Sequence, residues 1–346
     1  MAKPLLTELP AAEAPTLHFP ETSGAQAPER EEIPPPLRRD APPPLRPLDE
    51  ATLRAHFADV ASLPQPAWPG AAVASRAAEL PGLCALHPAQ PAPTAQGALE
   101  IIHEVARALA SLTGLERFCL QPASLAAAER AALLIAKAAA ARTESPRNEV
   151  VAPADSSALP LAADVGLVPR PVPRLASGNA DVEAVEAAVG PATLIVAAPW
   201  LTPADAFERN LGAIGHVAHA RGAFFGVDAT GLCRFAGRAR PREAEADVVW
   251  LSLAELCPTA HGAALGVRSA LGALLPSPLV GKDRSGYVLD DELPSSIGPL
   301  AVAAGRLLDA LAVHIALRTL GEAGLRERGA RLTAEALARR GCSVYP

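Results

Sequence analysis

The sequence predicts an α/β fold, a mostly parallel sheet held between helices, and three observations carry that prediction. Short apolar runs such as "ATLIVAAP", "AFFGVDA" and "DVVWLSL" alternate with helical stretches, which is the rhythm of βαβ units. Half of the 346 residues are hydrophobic, enough for a sizeable core. Only 3% are aromatic, and alanine and leucine dominate, so packed helices are favoured over a β-sandwich.

Taken in order, residues 1–50 are dense in proline and charge, as in "EEIPPPLRRDAPPPLRPLDE". The runs Pro34–Pro36 and Pro42–Pro44 favour polyproline II and exclude helix, so an extended or disordered arm is expected. A proline-motif ligand for another domain is the second reading. A helix is predicted over "DEATLRAHFADVASL", then an irregular, proline-punctuated connection. In "GALEIIHEVARALASLTGL", Ile101, Val105, Leu109 and Leu112 share one helical face, and Gly114 stops the helix. "RFCLQPAS" reads as a short strand and turn, with Ser124 as N-cap of the helix "LAAAERAALLIAKAAAAR".

The strand "NEVVAPA" and the extended "LVPRPVPRL" follow, then the helix "DVEAVEAAVG", closed by Gly190. After the buried strand "ATLIVAAP", "PADAFERNLGAIGHVAHARG" is read as a helix to Gly222. "AFFGVDA" and Asp247–Leu251 are the next strands. A long helix from Pro299 to Gly321 and a second, "GLRERGARLTAEALARRG", complete the chain. No repeat period is evident.

A net charge of −6 argues against a general nucleic-acid binder. No signal-type apolar run and no stretch of about 18 apolar residues appears, so no membrane span is expected. Cys84, Cys119, Cys233, Cys257 and Cys342 are scattered without C-x-x-C or zinc spacing. They read as reduced thiols, and the expected location is the cytoplasm. Lys3, Lys137 and Lys282 are the only lysines, hence the only candidates for Schiff-base chemistry.

Asp228 ends a predicted strand and precedes Thr230 and Gly231. It is either a ligand-binding carboxylate at the sheet's carboxyl edge or a turn aspartate. His261 and Gly262 stand in the loop after Asp247–Leu251, where the histidine is either structural or catalytic. His216 and His219 lie three apart on one helix, but no acidic or cysteine ligands recur with them, so no metal is expected. His103 with Glu104, and Glu129 with Arg130, read as solvated helix faces. Cys257 would serve as a nucleophile only with a base that the sequence does not identify.

The words "LHPAQPAPTAQGALEIIHE", "LTGLERFCLQPA", "FERN", "RGAFFGVDATG", "DVVWLSL", "TAHG" and "YVLDDELPSSIGP" occur in that order. Over about residues 50–340 they resemble the glycine dehydrogenase (decarboxylating) family, the P-protein of the glycine cleavage system, in its cofactor-bearing subunit 2. The resemblance implies the large domain of a type I pyridoxal-phosphate (PLP) transferase over residues 51–322. Residues 323–346 would begin a C-terminal small domain that is cut short. It also implies a homo-oligomer or a hetero-oligomer with another P-protein subunit, and lipoylated H-protein as the family's partner.

Carried over by resemblance, the family's site residues are largely absent. Glu255 stands where the family has its Schiff-base lysine, and an anion cannot condense with an aldehyde. Ser157 stands for the ring-stacking histidine. The phosphate cradle offers Ser124 and no glycine in "LQPASLAAAER", and a Gly-Ser-Cys-Thr-Met-Lys word expected before "LHP" is missing. Asp228, which would pair with the pyridine nitrogen, survives, as do His261 and Gly262. The resemblance therefore implies a degenerate member with no catalytic residue, in which PLP is not bound covalently, acting as a structural or regulatory subunit. An active decarboxylase using a lysine from elsewhere, or a binding module reusing the old cleft, are the alternatives.

Overall fold

In the computed structural model, seven strands form one sheet in the order β1-β7-β6-β5-β4-β2-β3. The description covers residues 70–339 except 81–82, 84–85, 88–89, 143–145 and 237. The proline-rich arm, the helix expected after it, Lys3, Cys84, Cys342 and residues 340–346 lie outside the described residues. Strands β2 (Glu149–Pro153), β3 (Val168–Val172), β4 (Thr193–Pro199), β5 (Phe224–Asp228) and β6 (Val248–Ser252) run parallel. Strand β7 (Ala263–Val267) is antiparallel to both β6 and β1 (Arg117–Cys119). The strongest central strand, β4, buries six successive residues, as expected of a strand covered on both faces.

Side chains alternate between two apolar clusters, one on each face. Val249 and Leu251 join one, while Val248 and Trp250 join the other. The first face is covered by α2 (Gln96–Thr113), by α6 (Leu211–Ala220) and by α7 (Leu307–Arg339). The second is covered by α3 (Leu125–Ala141) and α4 (Ala158–Asp164). Gly114 caps α2 in the left-handed conformation (φ 79°), its N–H donating to Ala110 O at 2.8 Å. The buried stripe of α2 is Leu99, Ile102, Val105 and Leu109, so Ile101 and Leu112 sit at its margin rather than at its centre. Ser124 caps α3 as expected, accepting the Ala127 N–H at 3.2 Å.

Several elements differ from the sequence reading. The connection before α2 contains a helix, α1 (Ala71–Ala78), whose alanine content outweighs the surrounding prolines. Helix α5 (Val182–Ala188) ends before Gly190, which is held in a turn by the Thr193 hydroxyl. Helix α6 starts only at Leu211. Ahead of it, Glu208 turns inward, and its carboxylate accepts the Ala180 and Asn210 N–H groups at 2.9 and 3.1 Å. Helix α7 starts at Leu307, because Gly305 bridges to Leu120 instead of continuing a helix back to Pro299. It breaks at Gly321 as expected, at φ 59° and ψ −170°, a conformation that glycine alone takes readily. Strand β7 and the hairpin of β8 (Leu279–Asp283) and β9 (Gly286–Asp290) are not among the elements expected from the sequence, and Lys282 lies on β8.

Where α6 meets the chain before β6, Gly215 faces the Ala244 carbonyl, and an added Cβ would stand 3.0 Å from the Phe225 ring. Gly212, on the same helix, has open space at that position. Gly215→Ala is expected to lower stability by about 1–3 kcal/mol. Gly212→Ala should be neutral or raise it by about 0.5–1 kcal/mol. Urea unfolding of the pair checks both.

Candidate functional site

Parallel strands leave a crevice beyond their carboxyl ends, and here β2, β4 and β5 open into a cavity of about 190 Å³. Its wall includes Asp155, Ser156, Ser157, Arg174, Asp228 and Trp250. Asp228 is the last residue of β5. Its Oδ1 accepts the Thr230 N–H at 3.0 Å and the Thr230 hydroxyl at 2.6 Å, which fixes the carboxylate in a short turn. Ser156 and Ser157 lie in the turn between β2 and α4. The Ser157 hydroxyl donates to Glu129 Oε2 at 2.7 Å. Arg174 donates to Asp155 Oδ1 at 2.7 Å and to Gly178 O at 3.1 Å, and it lies 3.6 Å from buried Glu208. Larger hollows of about 650 and 490 Å³ lie away from the strand ends, beside the β8–β9 hairpin and beside residues 236–243.

Glu129 is 2% exposed, which corrects the expectation of a solvated face, although Arg130 is exposed as expected. The reason is helical phase, since Glu129 shares the inward stripe of α3 with Ala128, Ala132 and Ala136. Burial pushes its carboxyl up to about 7, the Ser157 hydrogen bond opposes this, and the Asp228 charge adds to it. Burial also raises Asp228, against its two bonds from Thr230. Glu255, in the turn Leu253–Glu255 after β6, is raised first by burial and further by Asp228, while the Gly231 N–H, Arg234 and Arg328 act the other way. The Asp228 charge thus raises the carboxyls of both Glu129 and Glu255 at this end of the sheet.

Asp228 and Ser157 are therefore brought together, but the other residues singled out in the sequence are not on the cavity wall. Ser124 spends its hydroxyl on the helix cap. The imidazole of His261 is exposed, and the His261 and Gly262 N–H groups donate to Asp309 at 3.2 and 3.0 Å. Cys257 is fully buried, its Sγ 3.2 Å from the Thr259 hydroxyl. His216 is exposed, whereas His219 contacts Asp247 at 2.9 Å and Glu245 at 3.3 Å. Among the described residues no group of three or more side chains is arranged to hold a metal. His103 packs on the Tyr287 ring, and Glu104 lies 3.6 Å from Arg107.

Neither described lysine lines the cavity. Lys137 donates to Val165 O at 2.8 Å, and Lys282 lies 4.8 Å from the centre of the Tyr287 ring. Sequence reasoning missed Glu129, Trp250, Arg174, Asp155 and Ser156. For Glu129 a signal existed, since its spacing to Ala132 and Ala136 places it on the apolar stripe. No local pattern marks the others. Among the described residues no helix is long and apolar enough to cross a membrane.

No family model matches the chain. Among individual proteins, it is 32% identical over 260 residues to probable glycine dehydrogenase (decarboxylating) subunit 2 of Methylococcus capsulatus, covering 72% of this chain and 53% of that protein. It is 33% identical over 267 residues to the same-named protein of Desulforamulus reducens, covering 74% and 54%. The chain thus spans about half the length of the curated relatives it matches. Among solved structures it resembles an inhibitor-bound glycine decarboxylase (P-protein) of the glycine cleavage system. The TM-score is 0.65 at 23% identity, over 90% of this chain and 72% of that one. Mouse CSAD gives 0.60 at 20% identity, over 79% and 60%. These likenesses give the fold, that of the type I PLP-dependent enzymes.

A buried acid with a raised pKa binds its proton more tightly when folded, so its contribution to stability is present at low pH and lost as pH rises. For Glu129 the window runs from its ordinary 4.5 to about 7. Glu129→Gln is expected to flatten the fall in stability between pH 5 and 8 by up to about 3 kcal/mol. Urea titrations at the two pH values measure the slope.

Proposed function

The chain is a relative of the glycine dehydrogenase (decarboxylating) subunit 2 proteins, and we propose that it serves as a structural or regulatory subunit without covalent PLP chemistry. The observation that carries this reading is the charge of the cleft. PLP needs a lysine amine for its aldehyde, a cradle of close backbone N–H groups for its phosphate, and a carboxylate for its pyridine nitrogen.

Asp228 fits the third need. The first two are not met by the residues here. The cavity wall holds no lysine, and the two described lysines are engaged elsewhere. By resemblance Glu255 takes the lysine's position, and it is coupled to Asp228 as a second carboxylate. At the start of α3 the Ser124 hydroxyl occupies the Ala127 N–H, and Leu125 follows where a backbone without a Cβ would be wanted. The acidic surroundings, in which Asp228 acts on both Glu129 and Glu255, also oppose a phosphorylated, anionic ligand. The residues present do not fit the cofactor.

What remains is a well-packed α/β scaffold of the kind on which the relatives are built. Pairing with an intact P-protein subunit is the role that this scaffold supports, with lipoylated H-protein reached only through that subunit.

Protein incubated with PLP and then reduced with borohydride should carry no pyridoxyl adduct on a cleft residue by peptide mass spectrometry. An adduct on one lysine at stoichiometric yield would show that a lysine from elsewhere does reach the site, and the active-enzyme reading would replace this one. Mixed with an intact P-protein subunit, the chain should comigrate in sedimentation. Independent migration would remove the subunit role.

A further inference from the structure

On the wall of the cavity at the ends of β2, β4 and β5, one hydroxyl is bonded to a carboxylate that solvent scarcely reaches. Ser157 is exposed and lines the cavity. Its Oγ donates to Glu129 Oε2 at 2.7 Å, and Glu129 is 2% exposed, seated on the inward stripe of α3. At that distance a carboxylate is placed to take the hydroxyl proton as the oxygen attacks. Among the described residues no cation pairs with Glu129. Burial pushes its carboxyl up to about 7, against the Ser157 bond and with the Asp228 charge. A carboxylate raised in this way is a stronger base than an ordinary glutamate and is still partly ionised at neutral pH.

Neighbouring hydroxyls show what sets this one apart. Ser156 Oγ accepts the Ala158 N–H at 3.2 Å and meets no carboxylate. Ser285 does donate to a carboxylate, Asp283, but both are exposed in one turn, and the bond holds that acid below its ordinary range. Thr230 donates to Asp228 within a two-residue turn and is not on the cavity wall. Ser157 and Glu129 are instead 28 residues apart, brought together by the seating of α3. The wall also holds donors for an oxygen that gains charge when a nucleophile adds to a carbonyl. No described acceptor takes the Ser157 N–H. Arg174 uses Nε and Nη1 for Asp155 and Gly178 O, and no described acceptor meets its Nη2.

We propose that Ser157 is a catalytic nucleophile with Glu129 as its general base, in the hydrolysis of short, neutral acyl esters. Ser157 Oγ bonds to the carbonyl carbon while its proton passes to Glu129 Oε2. The ester C–O bond then breaks, and the leaving alkoxide takes that proton away as an alcohol. Water next gives a proton to Glu129 and its oxygen bonds to the acyl carbon, and Ser157 Oγ departs with the proton. The products are an alcohol and a carboxylic acid, and both residues return to their starting state. The acyl chain is short because the cavity, about 190 Å³, is below the roughly 300–1,000 Å³ of ordinary ligand pockets. The ester is neutral because Asp155 and Asp228 on the wall oppose an anion, and they drive out the carboxylate product for the same reason. The inference goes beyond the subunit role and rests on the reading that the cleft is free of covalent PLP.

A fluorophosphonate, which phosphonylates activated serines with loss of fluoride, and p-nitrophenyl acetate are the probes. The full chain should gain one phosphonyl group, placed on Ser157 by peptide mass spectrometry, and should lose p-nitrophenyl acetate hydrolysis in proportion. Ser157→Ala should remove both reactions. Glu129→Gln should slow both by about 100-fold or more, and circular dichroism of the two variants establishes that they fold. Only the carboxylate accepts the proton, so the wild-type rate should rise with pH through about 7 and level off above it. That rise should be absent in Glu129→Gln, a change that a merely structural bond would not produce. No adduct on Ser157 of the folded wild type, or labelling as fast in Glu129→Gln, would overturn the proposal. Borohydride trapping of PLP in the cleft would overturn the parent reading instead, so the two failures are told apart.

Discussion

The close seating of one alanine-rich helix on the sheet is the constraint on which this cleft depends. Ala128, Ala131, Ala132, Ala136 and Ala140 of α3 are all buried. Small side chains let a helix axis approach its neighbours more closely than leucine or phenylalanine would allow. That approach delivers Glu129 to the turn after β2, where Ser157 meets it, and within electrostatic reach of Asp228. A bulkier stripe would hold the carboxyl farther from both. The acidity of the cleft is thus a consequence of packing as much as of the residues at the strand ends.

Much of the sheet was legible because burial on both faces leaves continuous apolar runs. β4, β5 and β6 stand out in the sequence for that reason, and the glycine stops at Gly114 and Gly321 mark real chain reversals or breaks. Residues 203–210 were misread because their composition suits a helix, whereas tertiary bonds, among them the inward turn of Glu208 to pair with Ala180 and Asn210 and the Leu201–Phe207 bridge, hold them in turns. Strand β7 was hidden because "AALGV" is too small and glycine-rich to look like a strand. Gly266 is nevertheless needed there, since an added Cβ would collide with the Phe118 ring on β1.

The site was legible only in part. Asp228 could be found because a carboxylate at a strand end is a local pattern. Its companions converge from α3, the turn after β2, the chain after β3 and the neighbouring strand β6, and sequence spacing carries no information about that convergence. The relatives add family and fold.

The break at Gly321 has a bearing on how the chain is made. Beyond it, the last limb of α7 lies over the turn Leu232–Phe235, with Gly329 against the Cys233 and Arg234 carbonyls, and Arg328 donates to Leu256 O at 2.7 Å. During vectorial synthesis the sheet can be assembled from residues 117–267 well before that limb has left the ribosome. The loop after β6, which carries Glu255, gains its bond from Arg328 only when that residue arrives. The loop after β6 is therefore among the last parts of the described chain to acquire its final contacts, and a nascent chain stalled short of that point would hold a complete sheet with an unfastened rim.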